Sequence, residues 1–407
     1  MGSFFKAPHK YSIFDLMINE RVRYLDGLRG VLAIIVFIHH YFYAFCPELI
    51  FGGSFESYNS TGPFSFYKIM ALTPVNILFN PGMAIHFFFL LSGYVQTRSF
   101  FINQEISFLQ KSLIKRYFRL ALPILSVVIL VYLFHNNYLI RKDLIPPNEL
   151  TTGWVKSLLP NNLHFFEVIL EGLSNCFRGN SHYYQILWTM PTELVNSFVV
   201  LALLLILHGL RHQLKIIVVL LLVQFFVLKE YYSVAFVAGM LFANLEVNSG
   251  KFNAFFSKMP VQILCLILGI YFGSYPFTGY QNAVAHSVYA PISFFEVCPH
   301  VISYLIGVIF LFCFLLYSKR TQALLSKKIL LFFGEISFMF YLIHFLLLLS
   351  FTPWLYNTLK NNGDGGADFI WTGVFSFGVI SLVASVLTKL VDRPVINWCN
   401  RFAKRFF

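Results

Sequence analysis

The stretch RYLDGLRGVLAIIVFIHHY, from Arg23 to Tyr41, decides the fold, because a charged entrance leads directly into an apolar run that ends at two histidines. On an α-helix each residue turns about 100° and rises about 1.5 Å. The eleven steps from Arg29 to His40 therefore bring both side chains within about 20° of one helix face, roughly 16 Å apart, whereas His39 points about 80° away. Polar groups inside an apolar span are costly and usually face a cavity or a partner. We therefore expect one apolar helix with an arginine at its entrance and a histidine deep inside.

The composition of the whole chain agrees with a membrane protein. Of its 407 residues 57% are hydrophobic and only 12% are charged, and the mean hydropathy is +0.69. A soluble domain carries about 25% charged residues. We therefore predict an all-α, multi-pass helix bundle embedded in a membrane. The six cysteines form neither a CxxC pair nor a cluster with histidine, so we expect no metal site.

About ten apolar segments are long enough to span a bilayer, which needs about 20 residues, or fewer with snorkelling flanks. The expected spans are 28–46, 81–97, 120–135, 187–207, 214–228, 231–245, 259–273, 302–317, 334–350 and 370–388. The fifth and sixth are short and are separated only by Lys229 and Glu230, so they alternatively form one re-entrant hairpin. We expect a transmembrane domain over 23–396, between a cytoplasmic tail, 1–22, and a basic cytoplasmic tail, 397–407.

The distribution of basic residues predicts the orientation of the bundle. With the N-terminus in the cytoplasm, 23 of the 30 lysines and arginines fall on the cytoplasmic side, as the positive-inside rule requires. Both termini are then cytoplasmic. The net charge of +12 is thereby explained by topology and by anionic lipid or phosphate contacts, and we expect no nucleic-acid partner.

Two long loops, about 47–80 and about 136–186, fall on the outer side. The first contains a glycosylation sequon at Asn59, which predicts a glycoprotein. Three cysteines also fall on the outer side: Cys46, Cys176 and Cys298. A disulfide between two of them is compatible with the sequence, but the sequence does not indicate which two would pair.

Polar residues recur at matching depths in several spans. His40, His86, Glu193 and His344 all fall five or six residues from the outer end of their spans, about 9 Å below the outer boundary. Four arginines lie instead at the cytoplasmic edge: Arg29, Arg116, Arg119 and Arg393. This pattern predicts a cavity with a basic cytoplasmic mouth and a histidine and glutamate centre.

These residue types suit acyl transfer. A neutral histidine can take a proton from an alcohol as it attacks a carbonyl, and a carboxylate can orient that histidine. Arginines bind phosphates through paired hydrogen bonds. Together they indicate transfer from a phosphate-bearing cytosolic donor, such as acyl-CoA, to a hydroxyl group.

Six ordered motifs resemble the membrane acyltransferase 3 family, which includes polysaccharide O-acetyltransferases of bacteria. They cover roughly residues 23–396 and comprise RYLDGLRGVLA with His40 eleven positions after Arg29, FFFLLSGYV at Phe87–Val95, KRYFRLALP at Lys115–Pro123, LWTMPTEL at Leu187–Leu194, GEISFMFYLIH at Gly334–His344 and VDRP at Val391–Pro394. Two departures are the proline at Pro191 and the single Glu193, where many members have a pair of glutamates.

The resemblance implies about ten helices, acyl-CoA as a co-substrate and a hydroxylated acceptor. It also implies that Arg29 and His40 are essential, with His40 as the base. Arg116 and Arg119 match the family's basic segment before the third span and are expected at the donor, while Glu193 matches the glutamate of the tryptophan motif. We expect His344 or Glu193 to assist His40, and no tightly bound cofactor.

Each of these residues also has a structural interpretation. A buried histidine can simply donate to a backbone carbonyl, and we expect this of His39. Ser92 and Gly93 are expected to let helices approach closely. Asp26 is expected either to cap the first helix or to pair with Arg29. Tyr341 is expected to pack with one hydrogen bond.

The leading hypothesis is therefore an integral-membrane O-acyltransferase, most simply an O-acetyltransferase. Its acceptor would be a secondary metabolite, a lipid or a sugar, and its membrane the endoplasmic reticulum or the plasma membrane. A proton-coupled transporter would also carry intramembrane histidines and a glutamate, although the sequence shows no inverted repeat. A non-catalytic scaffold with the same fold is a third, weaker hypothesis.

Overall fold

The computed structural model describes residues 13–53, 65–160, 163–179, 181, 183–210, 212–277, 284–293, 299–360 and 365–405. The sequon at Asn59 and the thiol of Cys298 lie outside these residues. All regular structure in the described part of the chain is helical. The all-α prediction is therefore confirmed.

Eighteen α-helices follow one another along the described chain. They are α1 (Ile13–Phe45), α2 (Glu48–Phe51), α3 (Phe66–Leu72), α4 (Pro81–Asn103), α5 (Ile106–Asn136), α6 (Thr152–Ser157), α7 (Phe165–Leu173), α8 (Met190–Leu207), α9 (Gln213–Val223), α10 (Tyr231–Asn248), α11 (Gly250–Phe256), α12 (Met259–Gly273), α13 (Pro299–Tyr317), α14 (Lys319–Leu325), α15 (Lys328–Leu349), α16 (Phe351–Lys360), α17 (Gly365–Leu387) and α18 (Arg393–Ala403). Short 3-10 helices at Pro74–Phe79 and Gln185–Thr189 lead into α4 and α8.

Among the described residues, six helices are long and apolar enough to cross a membrane, or seven if α11 and α12, which meet at a 76° bend, form one broken span. The count of ten is therefore not confirmed. Two of the other expected spans correspond to α4 and α10, which pack against each other and carry polar side chains such as His86 and Asn244 in buried positions. Helices surrounded by protein can carry such groups. The orientation of the termini and the domain limits remain predictions.

The pairing of α1 with α15 is among the most extensive in the bundle and positions two of the predicted site residues. A Cβ atom added to Gly30 would lie 2.6 Å from the backbone nitrogen of Gly334, so only glycine allows this approach. Ten residues further along each helix, His40 and His344 are in contact. Because both offsets are equal, the two helices run parallel, and the glycine crossing sets the register of the histidines.

We expect Gly334→Val to destabilise the bundle by about 1–3 kcal/mol, because its new Cβ would lie 2.1 Å from the carbonyl oxygen of Asp26. Thermal unfolding in detergent measures this loss. Gly378→Val is the matched control, because a Cβ at that helical position meets nothing within 4 Å. Equal melting temperatures for the two variants would contradict the close crossing.

A second glycine crossing joins α4 to α10. A Cβ at Gly93 would lie 2.0 Å from the carbonyl oxygen of Phe236, and one at Gly239 would lie 2.1 Å from that of Leu90. The expectation that Gly93 permits close helix approach is therefore confirmed. Ser92 does more than permit close helix approach, because its hydroxyl donates a hydrogen bond to the carboxylate of Glu193 on α8.

The segment before α8 folds along α15 instead of remaining on the surface. The Tyr184 hydroxyl donates to the carbonyl of Leu342 (2.7 Å) and accepts from the amide of Leu346 (3.0 Å). The Tyr341 hydroxyl donates to the carbonyl of Ile186 (2.5 Å). These bonds draw the end of the long loop into the bundle beside His344.

Of the three cysteines expected on the outer side, the two that the structure describes are not joined to each other. Cys46 and Cys176 are both free thiols. Burial, followed by the charge of Glu48, raises the pKa of Cys46 to about 12, and burial followed by the charge of Glu171 raises the pKa of Cys176 to about 12. No disulfide therefore joins these two cysteines, and Cys176 is enclosed in an apolar cluster.

Candidate active site

Two adjoining cavities lie between the helices. We call the first the arginine cavity; its volume is about 180 Å³, and its polar lining includes Arg29, Ser92, Arg116, Arg119, Glu193 and Asp392. We call the second the histidine cavity; its volume is about 220 Å³, and its lining includes His39, His40, His86, Gln185 and His300. Ile85 and Tyr341 line both cavities and therefore form the wall between them.

Hydrogen bonds determine the tautomers of the two central histidines. Nδ1 of His344 lies 2.6 Å from the carbonyl oxygen of Tyr341, which can only accept, so this nitrogen carries the proton. Nε2 of His344 is then an acceptor, and it lies 3.1 Å from Nδ1 of His40. His40 must therefore donate from Nδ1, which leaves its Nε2 with a free lone pair. A neutral imidazole in this form can act as a general base.

Aromatic rings hold this pair of histidines in place. The centroids of the His40 and His344 rings are 5.2 Å apart, and Phe345 meets His40 edge-on at 5.4 Å. Phe340 stacks on His344 at 6.3 Å. His344 is 1% exposed, and its ring is therefore fixed by packing as well as by hydrogen bonds. The structure therefore brings His344 into contact with His40, and its assistance to His40 as a base stays a prediction.

Glu193 lies in the arginine cavity, where side chains from two neighbouring helices contact it. Its Oε1 forms an ion pair with Arg116 of α5 and accepts a 2.7 Å hydrogen bond from Ser92 of α4. Arg116 also donates to the hydroxyl of Ser197, one turn further along α8 (2.8 Å). With both side chains of the pair less than 15% exposed, removing either one would leave a buried charge without its partner.

This position corrects the predicted depth of Glu193. We expected it level with His40 and far from Arg116, whereas it contacts Arg116 and does not line the histidine cavity. The expected span was counted from residue 187, but Gln185–Thr189 is a 3-10 helix, which rises about 2 Å per residue. This geometry adds about 2.5 Å of depth over five residues, which accounts for part of the difference. Of the two expected assistants, only His344 touches His40.

The arginines of the cavity differ in their partners. Arg29 lies 3.5 Å from Asp26, so the expected pairing is observed, while capping by Asp26 is wrong because α1 begins at Ile13. Arg116 is neutralised by Glu193. Arg119 has neither an ion pair nor a hydrogen bond to the described residues. The lining contains three arginines and the carboxylates of Glu193 and Asp392, while Asp26 beside Arg29 supplies a third carboxylate. Arg393 pairs with Glu335 instead and does not line this cavity.

Some lining residues were not identified from the sequence. Asp392 belongs to the quoted VDRP motif, yet its place in the arginine cavity depends on the π-helical turn at Thr388–Asp392. Gln185 and Trp188 line the histidine cavity because the segment before α8 folds inward. In the sequence, only the LWTMPTE motif indicated that this segment contributes to the site. His39, expected to be structural, lines the histidine cavity together with His86, which was expected at the depth of His40.

Comparison with known proteins gives consistent matches along almost the whole chain. An acyltransferase domain model matches residues 22–390. Acyltransferase R4 of Phoma sp. (strain ATCC 20986 / MF5453) is 23% identical over 451 residues, covering 92% of this chain and 94% of that protein. Acyltransferase clz18 of Cochliobolus lunatus is 22% identical over 457 residues, with the same coverage. No solved structure matches.

Proposed function

Because this chain belongs to the membrane acyltransferase 3 family, we propose that it transfers an acyl group, most simply acetyl, from acyl-CoA to a hydroxyl group of a metabolite, lipid or sugar. One observation carries the proposal. The hydrogen-bonded chain from Tyr341 through His344 to His40 presents a basic Nε2 to a cavity that adjoins the arginines. Family membership favours this reaction over proton-coupled transport.

The reaction needs one base that then serves as an acid. Nε2 of His40 takes the proton of the acceptor hydroxyl as its oxygen attacks the thioester carbonyl. The bond from carbon to sulfur breaks, the new ester bond remains, and the proton on His40 passes to the departing sulfur to give free CoA. While His40 is charged, its Nδ1–H bond to His344 becomes charge-assisted and is therefore strengthened.

The arginine cavity suits the phosphates of the donor. Arg29 and His40 lie eleven residues apart on α1, about 16 Å along its axis. In acyl-CoA an extended arm joins the phosphates to the thioester, and this arm has to cover the same distance. It would pass Tyr341 and Ile85, the two residues that line both cavities. Guanidinium groups recognise phosphate oxygens through paired hydrogen bonds. Donor and acceptor would thus enter different cavities and meet at His40.

Purified protein in detergent, incubated with labelled acetyl-CoA and a panel of hydroxylated acceptors, tests the proposed function. We expect CoA release together with an acceptor whose mass has increased by one acetyl group. Proteoliposomes loaded with the same acceptors provide the contrast. Movement of unmodified acceptor across the bilayer, with no acetylated product in either assay, would overturn the transferase proposal.

We expect His344→Leu to lower kcat about tenfold with little change in KM, because His40 loses the hydrogen bond that orients its ring and supports its charged form. Initial rates of CoA release measure the effect. His344→Gln should retain more activity, since its amide oxygen can accept from His40. A leucine variant as active as the wild type would show that His344 only packs the bundle.

A further inference from the structure

The histidine cavity contains buried hydrogen-bond acceptors that the described protein does not satisfy. Nε2 of His86, Nδ1 of His39 and Oε1 of Gln185 are all buried without a hydrogen-bond partner. His86 is 1% exposed and His39 is 4% exposed. All three residues line the histidine cavity together with His40. A buried polar atom without a partner is destabilising, so these atoms require hydrogen bonds with water or with a bound molecule.

The roles of two of these atoms are fixed by their neighbours. Nδ1 of His86 lies 2.7 Å from the carbonyl oxygen of Gly82, so Nδ1 carries the proton and Nε2 of the neutral ring is an acceptor. The Gln185 amide nitrogen donates to the carbonyl of Ser157 (3.1 Å), which identifies the remaining atom as the oxygen. Both atoms therefore require donors, as Nε2 of His40 does.

Much of the rest of the lining is aromatic. Trp154, Trp188, Tyr232 and Phe277 line the histidine cavity. His86 packs against Tyr232 with ring centroids 4.9 Å apart, and Phe277 meets His39 edge-on at 5.2 Å. The volume of about 220 Å³ equals about seven water molecules, which is room for one small ring. The cavity thus combines apolar walls with several acceptors, a combination that fits a ring bearing several hydroxyl groups.

We propose that the acceptor substrate is a compact polyol, which presents an apolar ring and at least two hydroxyl groups to the histidine cavity. One hydroxyl donates to Nε2 of His40 and is acylated. A second donates to Nε2 of His86, and a third, where present, donates to Oε1 of Gln185. His86 is thereby a specificity-determining residue that recognises the hydroxyl beside the reacting one. This inference rests on the proposed function, because it names the substrate class of the same site.

The test uses a matched series of cyclohexanol, cyclohexanediol and cyclohexanetriol with labelled acetyl-CoA. We expect kcat/KM to rise about tenfold from the monohydric alcohol to the diol in the wild type. His86→Phe, which keeps a flat ring and removes the acceptor atom, should abolish this preference, so that the diol and cyclohexanol are used with equal kcat/KM. His212→Phe is the control, because His212 is exposed on the surface.

Binding gives a readout that does not depend on turnover. Trp154 and Trp188 line the histidine cavity, so tryptophan fluorescence should change when the triol binds, and His86→Phe should weaken that binding about tenfold. If binding shows this dependence but no acyl group is transferred, the polyol site stands and the proposed function fails. Transfer to the alcohol and to the diol at equal rates, unaffected by His86→Phe, would overturn the polyol inference and leave the acyltransferase function intact.

Discussion

Replacing His40 with glutamine is expected to lower the rate of acyl transfer by about 10²- to 10⁴-fold, the usual contribution of a general base. The side chain of glutamine is of similar length and can still form a hydrogen bond with His344, so the contact between α1 and α15 can persist. Its amide cannot take a proton from an alcohol, and the base is therefore lost. Initial rates of CoA release at saturating acetyl-CoA and acceptor measure the change.

Two controls separate chemistry from folding in this experiment. His212→Gln makes the same chemical change at an exposed position and should retain wild-type activity. Melting curves of His40→Gln in detergent should resemble those of the wild type, since the bond to His344 can be replaced. A folded His40→Gln protein that acetylates the acceptor at the wild-type rate would eliminate His40 as the base.

Much of this candidate site follows from helix periodicity. The spacing of Arg29 and His40 placed them on one side of an apolar helix, and the structure has Arg29 lining one cavity and His40 the adjoining one. His344 was expected at the depth of His40, and the two rings touch. Both helices are long, apolar and regular. The relative depth of two side chains, counted along such helices in the sequence, therefore agrees with their positions in the folded bundle.

The other features depended on structure that periodicity does not describe. The 3-10 helix at Gln185–Thr189 altered the depth of Glu193, and hydrogen bonds from Tyr184 and Tyr341 drew the preceding loop into the bundle. The count of ten spans is not confirmed, for a related reason. Helix α4 is buried among other helices and carries His86 and Arg98 in buried positions, so its composition reflects its protein neighbours more than lipid.

The partners of the arginines decide which of them can receive a ligand. Arg116 is already held by Glu193 and Ser197, and Arg29 lies near Asp26. Arg119 lines the same cavity, yet forms no ion pair within the described residues, and it is exposed. A guanidinium group that is not in a close ion pair can bind a phosphate without first breaking one. Arg119 is therefore the arginine that we expect to bind the donor most directly.

Arg119→Gln is accordingly expected to raise the KM for acetyl-CoA by about 10- to 100-fold while kcat changes little. Hydrogen bonds to charged groups contribute about 1.5–3 kcal/mol, and each 1.4 kcal/mol is a factor of ten. The phosphates lie far from the reacting carbonyl, so their binding is equal in the ground state and the transition state, which affects KM alone. Steady-state kinetics with varied acetyl-CoA measures both constants.

Lys111→Gln provides the matched control for Arg119→Gln, because it removes the same charge two turns earlier on α5, outside the arginine cavity. A general effect of surface charge on the anionic donor would raise KM equally in both variants and would fall with added salt. A specific phosphate contact would raise KM in Arg119→Gln alone. If kcat fell and KM stayed constant, Arg119 would act in the transition state, and the donor phosphates would have to bind elsewhere.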